Sequence, residues 1–481
     1  MKPLLPALAS ALLLAACATT PTPTRPVALP LPAAWQVPEG FKFATPGEAR
    51  LPADWWQLYG DRTLTELEAL VEPANQTLAV ADAQYRQALA SAASARSTLS
   101  PTLTLTASAS RSQQPVLTSG GGLASPPASN LYITSGQASW EPDLWGSVHA
   151  NVAAAEASAA ASFDQRAAVL LSLQAQLAID YFQLRVADAS IGLLTDTAGA
   201  YEQTLALVRR RHDGGVVTLA DVTQADNQLQ TARAALADAR INRAVLEHAI
   251  AVLIGKTPGS FGLPPADWKA PQWPTVPLAL PSTLLERRPD VASAERQVDA
   301  AADKISATRA AFFPVVTLSA QAGLESKQFR NWLSLPKGFW SIGPQLTQYL
   351  LDGGNHLALE QQALATLDQV TANYRQVVLE SFQAVEDNLS NLDWLEEEQA
   401  RQQAGVAAAR QTLAIVTRQY QAGTVAYLNV ISAQTSLLNA ESAVLNLDGR
   451  KAVAHVQLVK ALGGGWVPPT SDPGKAALPS R

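Results

Sequence analysis

Proline is absent from residues 143–257 and again from residues 345–467, although the chain contains 31 prolines. A proline in a helix interior costs about 3 kcal/mol, because it lacks an N–H and its ring strikes the preceding turn. Two such tracts, rich in Ala, Leu, Gln and Arg, predict long uninterrupted helices and disfavour a compact α/β enzyme. Charged residues make up only 16% of the chain, below the roughly 25% of an average soluble protein. The net charge of −6 lacks the basic footprint that nucleic acid requires. A single cysteine excludes an intrachain disulfide and any cysteine-based metal centre. No two histidines stand at helical metal-ligand spacing. Lys256-Thr257 has no upstream glycine pattern for a P-loop, and Gly120-Gly121-Gly122 and Gly463-Gly464-Gly465 read as flexible loops. The expectation is no catalytic residue, no metal, no nucleic acid and no cofactor.

Residues 1–16 carry Lys2, an apolar run through Leu14 and the small pair Ala15-Ala16. That is the layout of a secretory signal, and the run is too short to span a bilayer. Leu14-Ala15-Ala16-Cys17 resembles the bacterial lipobox, in which the cysteine following the cut carries a covalent lipid. The alternative is an ordinary signal followed by a chance cysteine. Residues 17–61 begin as a Pro-, Thr- and Ala-rich tether.

The rest of the chain is written twice. Arg96 to Leu105 aligns with Arg309 to Leu318, and Val208 to Val222 aligns without gaps with Val416 to Val430. The second match sets Gly215 against Gly423, Val217 against Val425 and Asp221 against Asn429. The first repeat, 62–257, is expected to hold a helix, a β-hairpin over 101–141, a long helix over 147–212 and a helix over 218–255. The second, 284–465, repeats this with a hairpin over 314–350, a long helix over 355–421 and a helix over 426–462. A connector, 258–283, joins them, and 466–481 is a tail. Apolar residues along the first long helix (Leu177, Tyr181, Leu184, Ala187, Ile191, Leu194) step by three and four, as in coiled coils. Leu364, Leu367, Thr371, Tyr374 and Val378 open the matching stripe in the second. Helices of this length extend about 100 Å; periodicity alone leaves both a rod and a tube open.

The hairpins bear on that choice. Residues 102–110 alternate strictly, and so do 315–324. Each strand has about ten residues, the length of a tilted membrane-spanning strand. Trp140, Trp145, Trp332, Trp340 and Tyr349 fall near strand ends, where interfacial aromatics belong. Soluble hairpins remain the alternative. Four strands cannot close in lipid, where open edges are not tolerated; three chains would supply twelve. Pro344 is expected to kink or end its strand.

Three stretches carry a family resemblance: Leu284-Leu285-Glu286-Arg287-Arg288-Pro289-Asp290-Val291 with Ala310-Ala311-Phe312-Phe313-Pro314; Asp54-Trp55-Trp56 with Asp61, Leu64 and Leu67; and Gly343-Pro344 with Asp352-Gly353-Gly354. Together with the duplication they resemble the TolC/OprM-like outer-membrane efflux proteins, lipoprotein branch. The resemblance implies a mainly α chain with membrane β: a homotrimer forming a long α-helical barrel and a 12-stranded transmembrane β-barrel. It implies an outer-membrane location reaching into the periplasm, with an equatorial band formed by the termini and the central connector. Gly215, Val217, Asp221, Gly423, Val425 and Asn429 would form the periplasmic tip that meets an adaptor protein, which in turn serves an inner-membrane pump of the resistance-nodulation-division type. Many relatives place an Asp ring where this chain has Ser432, whose repeat-mate is Gln224, so that carboxylate ring is absent here. Asp221, Gln224, Tyr420 and Ser432 are the candidate aperture residues. Asp221 and Tyr420 also admit plain structural roles, as a helix-start partner and as packing. Arg209-Arg210-Arg211 reads as a favourable basic helix end or as an adaptor contact. The expected function is a passive export duct for small molecules. A protein-secretion or metal-efflux duct, or a periplasmic coiled-coil scaffold, are the alternatives.

Overall fold

The computed structural model describes residues 51–113, 115–117, 123–125, 127–269, 271, 273, 287–469 and 472–476. The signal, Cys17, most of the tether and much of the connector lie outside them. Seven α-helices are described: α1 (Arg62–Ala74), α2 (Gln76–Ser97), α3 (Ser147–Asp213), α4 (Leu219–Leu253), α5 (Pro289–Ala310), α6 (Asn355–Gln421) and α7 (Tyr427–Ala461). The strands are β1 (Thr102–Ser112), β4 (Ser129–Trp140), β5 (Val315–Ser326) and β6 (Gly338–Thr347), with a short ribbon, β2 (Val116–Leu117) and β3 (Leu123–Ala124), in the first hairpin loop. Helices that correspond in the two halves match in length: 22 residues in α2 and α5, 67 in α3 and α6, 35 in α4 and α7.

The single opening helix expected in the first repeat is two helices. Pro73 sits in the last turn of α1, and Asn75 turns extended after it. The Asn75 side chain accepts from the Leu78 N–H (3.0 Å), starting α2, and donates to the Leu253 carbonyl at the end of α4 (2.8 Å). Asp61 does the same at the start of α1. It accepts from the Leu64 N–H (3.0 Å) and from the Tyr181 hydroxyl on α3 (2.6 Å). Each capping residue therefore also fixes its helix against a neighbour.

The long helices are shared rods. α3 packs on α2 and α5 over one part of its length and on α4 over the other; α6 does the same with α5 and α7. Leu177, Tyr181, Leu184, Ala187, Leu194, Ala198, Tyr201, Leu205 and Val208 are buried along α3. In α6 the stripe is buried from Val378 to Leu395, but Leu364 is exposed and Leu367 and Tyr374 are half-buried. That part of the stripe is only partly covered within one protomer. The main core lies at mid-height, where Trp55, Leu64 and Val71 meet α3, α6 and α7. Gly463, Gly464 and Gly465 belong to its edge, and they are not a flexible loop. All three have positive φ, and a Cβ on Gly463 would lie 2.1 Å from the Arg287 carbonyl oxygen. Only glycine fits a left-handed turn pressed against other backbone.

The four long strands form one antiparallel sheet in the order β1-β4-β5-β6. Pro344 does not end β6. It pairs with Leu318, and pairing continues to Thr347 opposite Val315. β6 is an edge strand within the protomer, the position in which a sheet tolerates proline.

Candidate functional site

The strand register sorts the sheet into two faces. Cross-strand partners share a face, so Leu103, Leu105 and Ala107 line up with Ala138, Gly136 and Thr134. Those continue to Ala320, Ala322 and Leu324, and on to Ile342, Trp340 and Gly338. This face is almost wholly apolar. The other carries Thr102, Thr104, Thr106, Ser135, Gln137, Ser139, Thr317, Ser319, Gln321, Ser341 and Gln345. Gln321 donates to Ser135 across it (3.3 Å). Leu103 and Leu105 are 80% exposed and Ile342 is 75% exposed. Soluble monomers avoid a continuous apolar patch of this kind.

Aromatic side chains mark both ends of that face. Tyr132 meets Phe329 and Trp332 at the hairpin-loop end, at 5.5 and 5.9 Å between ring centroids. Eight residues along β4, about 27 Å at strand rise, Trp140 donates to the Leu99 carbonyl (3.1 Å). Below it Trp145 stacks on Phe313 (4.9 Å) and donates to the Pro314 carbonyl (2.7 Å). Tyr349 lies at this end against His356. Trp340 is the third residue of β6, opposite Ala322. The spacing matches the roughly 25 Å apolar band of membrane barrels.

The junction between sheet and long helix is built twice in one manner. Asp143 accepts from the Val148 and His149 N–H groups and pairs with the His149 ring. Asp352 accepts from the Gly354 and His356 N–H groups and pairs with the His356 ring. The bonds from His356, backbone first and then ring, hold the Asp352 carboxyl below its ordinary range. Gly146 and Gly354 supply the left-handed residue before each helix, at φ 79° and 88°.

At the opposite end each long helix turns into its partner. Gly215 (φ 75°) and Gly423 (φ 78°) make the turns. Gly215 donates to the His212 carbonyl (2.8 Å) and Gly423 to the Tyr420 carbonyl (3.0 Å). After the first turn, Thr218 and Asp221 form a reciprocal capping box. The Asp221 carboxylate accepts from both the N–H (3.0 Å) and the hydroxyl (2.9 Å) of Thr218. After the second turn Ala426 stands at the cap and offers no side-chain bond. Val217 and Val425 are half-buried in the tip core, whereas Asn429 and Gln224 are exposed. Ser432 is exposed and its hydroxyl bonds the Leu428 carbonyl of its own helix (3.0 Å). Tyr420 is buried against Tyr427, 5.3 Å between rings, and its hydroxyl has no hydrogen-bond partner among the described residues. Burial, then the neighbouring Tyr420, push the Tyr427 hydroxyl up to about 12.

Arg211 links the two tip hairpins. Its guanidinium lies 5.0 Å from the centre of the Tyr420 ring and donates to the carbonyls of Tyr420 (3.4 Å) and Gln421 (3.3 Å). Those are terminal carbonyls of α6, where a cation is favoured. The sequence marks Arg211 only as part of a basic cluster. The available signal is the repeat, which sets Arg211 against Gln419 and so breaks the symmetry.

A model of the outer membrane efflux protein family matches residues 70–256 and 280–464, one match for each half. The chain belongs to the outer membrane efflux protein family. It is 31% identical to the pyoverdine export outer membrane protein OpmQ of Pseudomonas aeruginosa, over 95% of this chain and 96% of that protein. It is 30% identical to the probable efflux pump outer membrane protein TtgC of Pseudomonas putida, over 99% of this chain and 98% of that one. The outer-membrane channel OprN superposes with a TM-score of 0.84 at 25% identity, covering 93% of this chain and 100% of that chain. The fold is therefore that of an outer-membrane efflux channel, an α-helical barrel joined to a β-barrel that several protomers close. The apolar sheet face has the character of a lipid-facing barrel wall, and the hydroxyl- and amide-lined face that of a water-filled interior. The protein resides in the outer membrane, with its helices reaching into the periplasm.

Proposed function

We propose that three copies of this chain form a passive duct that takes small molecules from an inner-membrane pump, through a periplasmic adaptor, to the outside. The observation that carries this reading is the two-faced sheet with both edges open. An apolar outer face needs lipid, and unpaired edges in lipid need neighbours. Three copies supply twelve strands, an even number within the range of known barrels. The names of OpmQ and TtgC, export and efflux proteins, support small organic cargo. The bore face carries hydroxyls and amides along its length, with Glu325 near its outer end. Such a wall suits hydrated solutes and gives little charge selectivity. The adaptor docks at the tip, on the turns around Gly215, Val217, Asp221, Gly423, Val425 and Asn429, where Val216, Leu219 and Leu428 are exposed. Closure rests on tip packing and on Arg211, with Asp221 engaged as a cap; Gln224 and Ser432 are the exposed groups left to line an aperture. Cys17 carries the lipid anchor.

Purified trimers in a planar bilayer should conduct; absence of conductance from intact trimers sinks the duct. Cys17→Ala should leave the protein in the outer-membrane fraction, because the barrel holds it. Release into the soluble periplasmic fraction would favour the scaffold reading instead.

A further inference from the structure

The two hairpin loops at the outer end of the barrel differ in charge. Residues 113–128 contain no charged side chain, whereas 327–337 contain Lys327, Arg330 and Lys337 and no acid. That is a local excess of cations in a chain whose net charge is −6. All three are exposed, and among the described residues none of their side chains has a hydrogen bond or ion pair. They alternate with apolar side chains that are also exposed: Phe329 at 68%, Leu333 at 72% and Leu335 at 89%.

The loop sits on the lipid side of the barrel. Tyr132 shares the lipid face with Leu324 and Ala109, and both Phe329 and Trp332 pack on the Tyr132 ring. The short helical turn Phe329–Asn331, which contains Arg330, is thereby held against the outer wall at the top of the apolar band. A bare apolar patch alone would need no cations there. Cations and apolar side chains interleaved at this height fit a surface whose acyl chains lie below and whose negative charge lies above.

We propose that residues 327–337 dock the phosphorylated glycolipid of the outer leaflet. Leu333 and Leu335 enter the acyl boundary. Lys327, Arg330 and Lys337 take the headgroup phosphates, to which guanidinium and ammonium groups make charge-assisted hydrogen bonds. The proposal rests on the barrel placing this loop at the outer surface. Failure of that reading shows as absent conductance, and failure of this one as absent headgroup preference.

The test measures binding of bisphosphorylated lipid A and of enzymatically dephosphorylated lipid A to detergent-solubilised trimers by native mass spectrometry. Wild-type trimers should prefer the phosphorylated form by on the order of tenfold, from three exposed ion pairs, and the preference should shrink as salt rises. K327Q/R330Q/K337Q should abolish the preference while leaving conductance unchanged. L333S/L335S should weaken both forms alike. Equal wild-type binding of the two forms overturns the proposal, and that comparison needs no variant to assemble. A triple variant that keeps the full preference overturns it too. So does full competition by inorganic phosphate at matched phosphate concentration, which would mark a free-phosphate site.

Discussion

At the tip of the first hairpin, Thr218 and Asp221 cap α4 from within the hairpin. At the tip of the second, Ala426 gives α7 no side-chain cap, and the end of α6 is held from outside by Arg211 of the first hairpin. The backbones are alike: glycine in the left-handed region and the same pair of turn bonds. A duplicated plan thus fixes lengths and turns but leaves the fastenings free to diverge. The first hairpin is self-contained, and the second leans on it.

Removing the link should have the largest effect. Arg211→Ala is expected to raise single-channel conductance several-fold. Gln419→Ala, its repeat counterpart, should leave conductance as it was, because only the Gln419 carbonyl is used in the turn. Equal responses would break the asymmetry.

A second contrast concerns α1, whose Glu68 is only 2% exposed, with both carboxylate oxygens unpartnered among the described residues. Burial holds its carboxyl well above the ordinary range. The folded state therefore favours the protonated form. Its contribution is complete below about pH 4.3, the unfolded value, and is lost as pH rises through the folded value. Glu68→Gln should raise the melting temperature at pH 8 and change it little at pH 4. A uniform shift at both would remove Glu68 as the cause.

The smallest effects sharpen the tip comparison. Gly215→Ala and Gly423→Ala meet no atom within 4 Å, so each should cost about 1 kcal/mol from its left-handed backbone alone. Thr218→Ala should cost about 1 kcal/mol, and Ala426→Ser should add up to about that much. Thermal melting of the trimer checks all four. An Ala426→Ser variant no more stable than wild type would show that a hydroxyl at this position does not cap α7.

Much of this architecture is legible in the residues. The proline gaps mark α3 and α6, and strict alternation marks β1 and β5. The break at Asn75 is harder to see, because α1 and α2 are both helical and only the Asn75 side chain decides the turn between them. The glycines at 463–465 look like slack and are the reverse, since their neighbours are distant in sequence (Arg287, Leu171 and Pro52). Pro344 misleads for a related reason: its effect depends on which side of β6 is paired. At the tip, Asp221 is readable as a helix-start residue, whereas the reach of Arg211 to Tyr420 depends on how two hairpins from different halves lie together. Local propensity is written along the chain; a contact between halves is not.

Neither α3 nor α6 contains a proline, so neither 67-residue rod has a built-in break. Mechanically each is a lever. The stretch beside its 35-residue partner is about 52 Å long, and a tilt of about 5° at mid-height would carry the tip about 4–5 Å. An aperture at the tip can therefore be worked from the middle of the molecule, by a small change of angle in the core around Trp55, with no joint needed along the way.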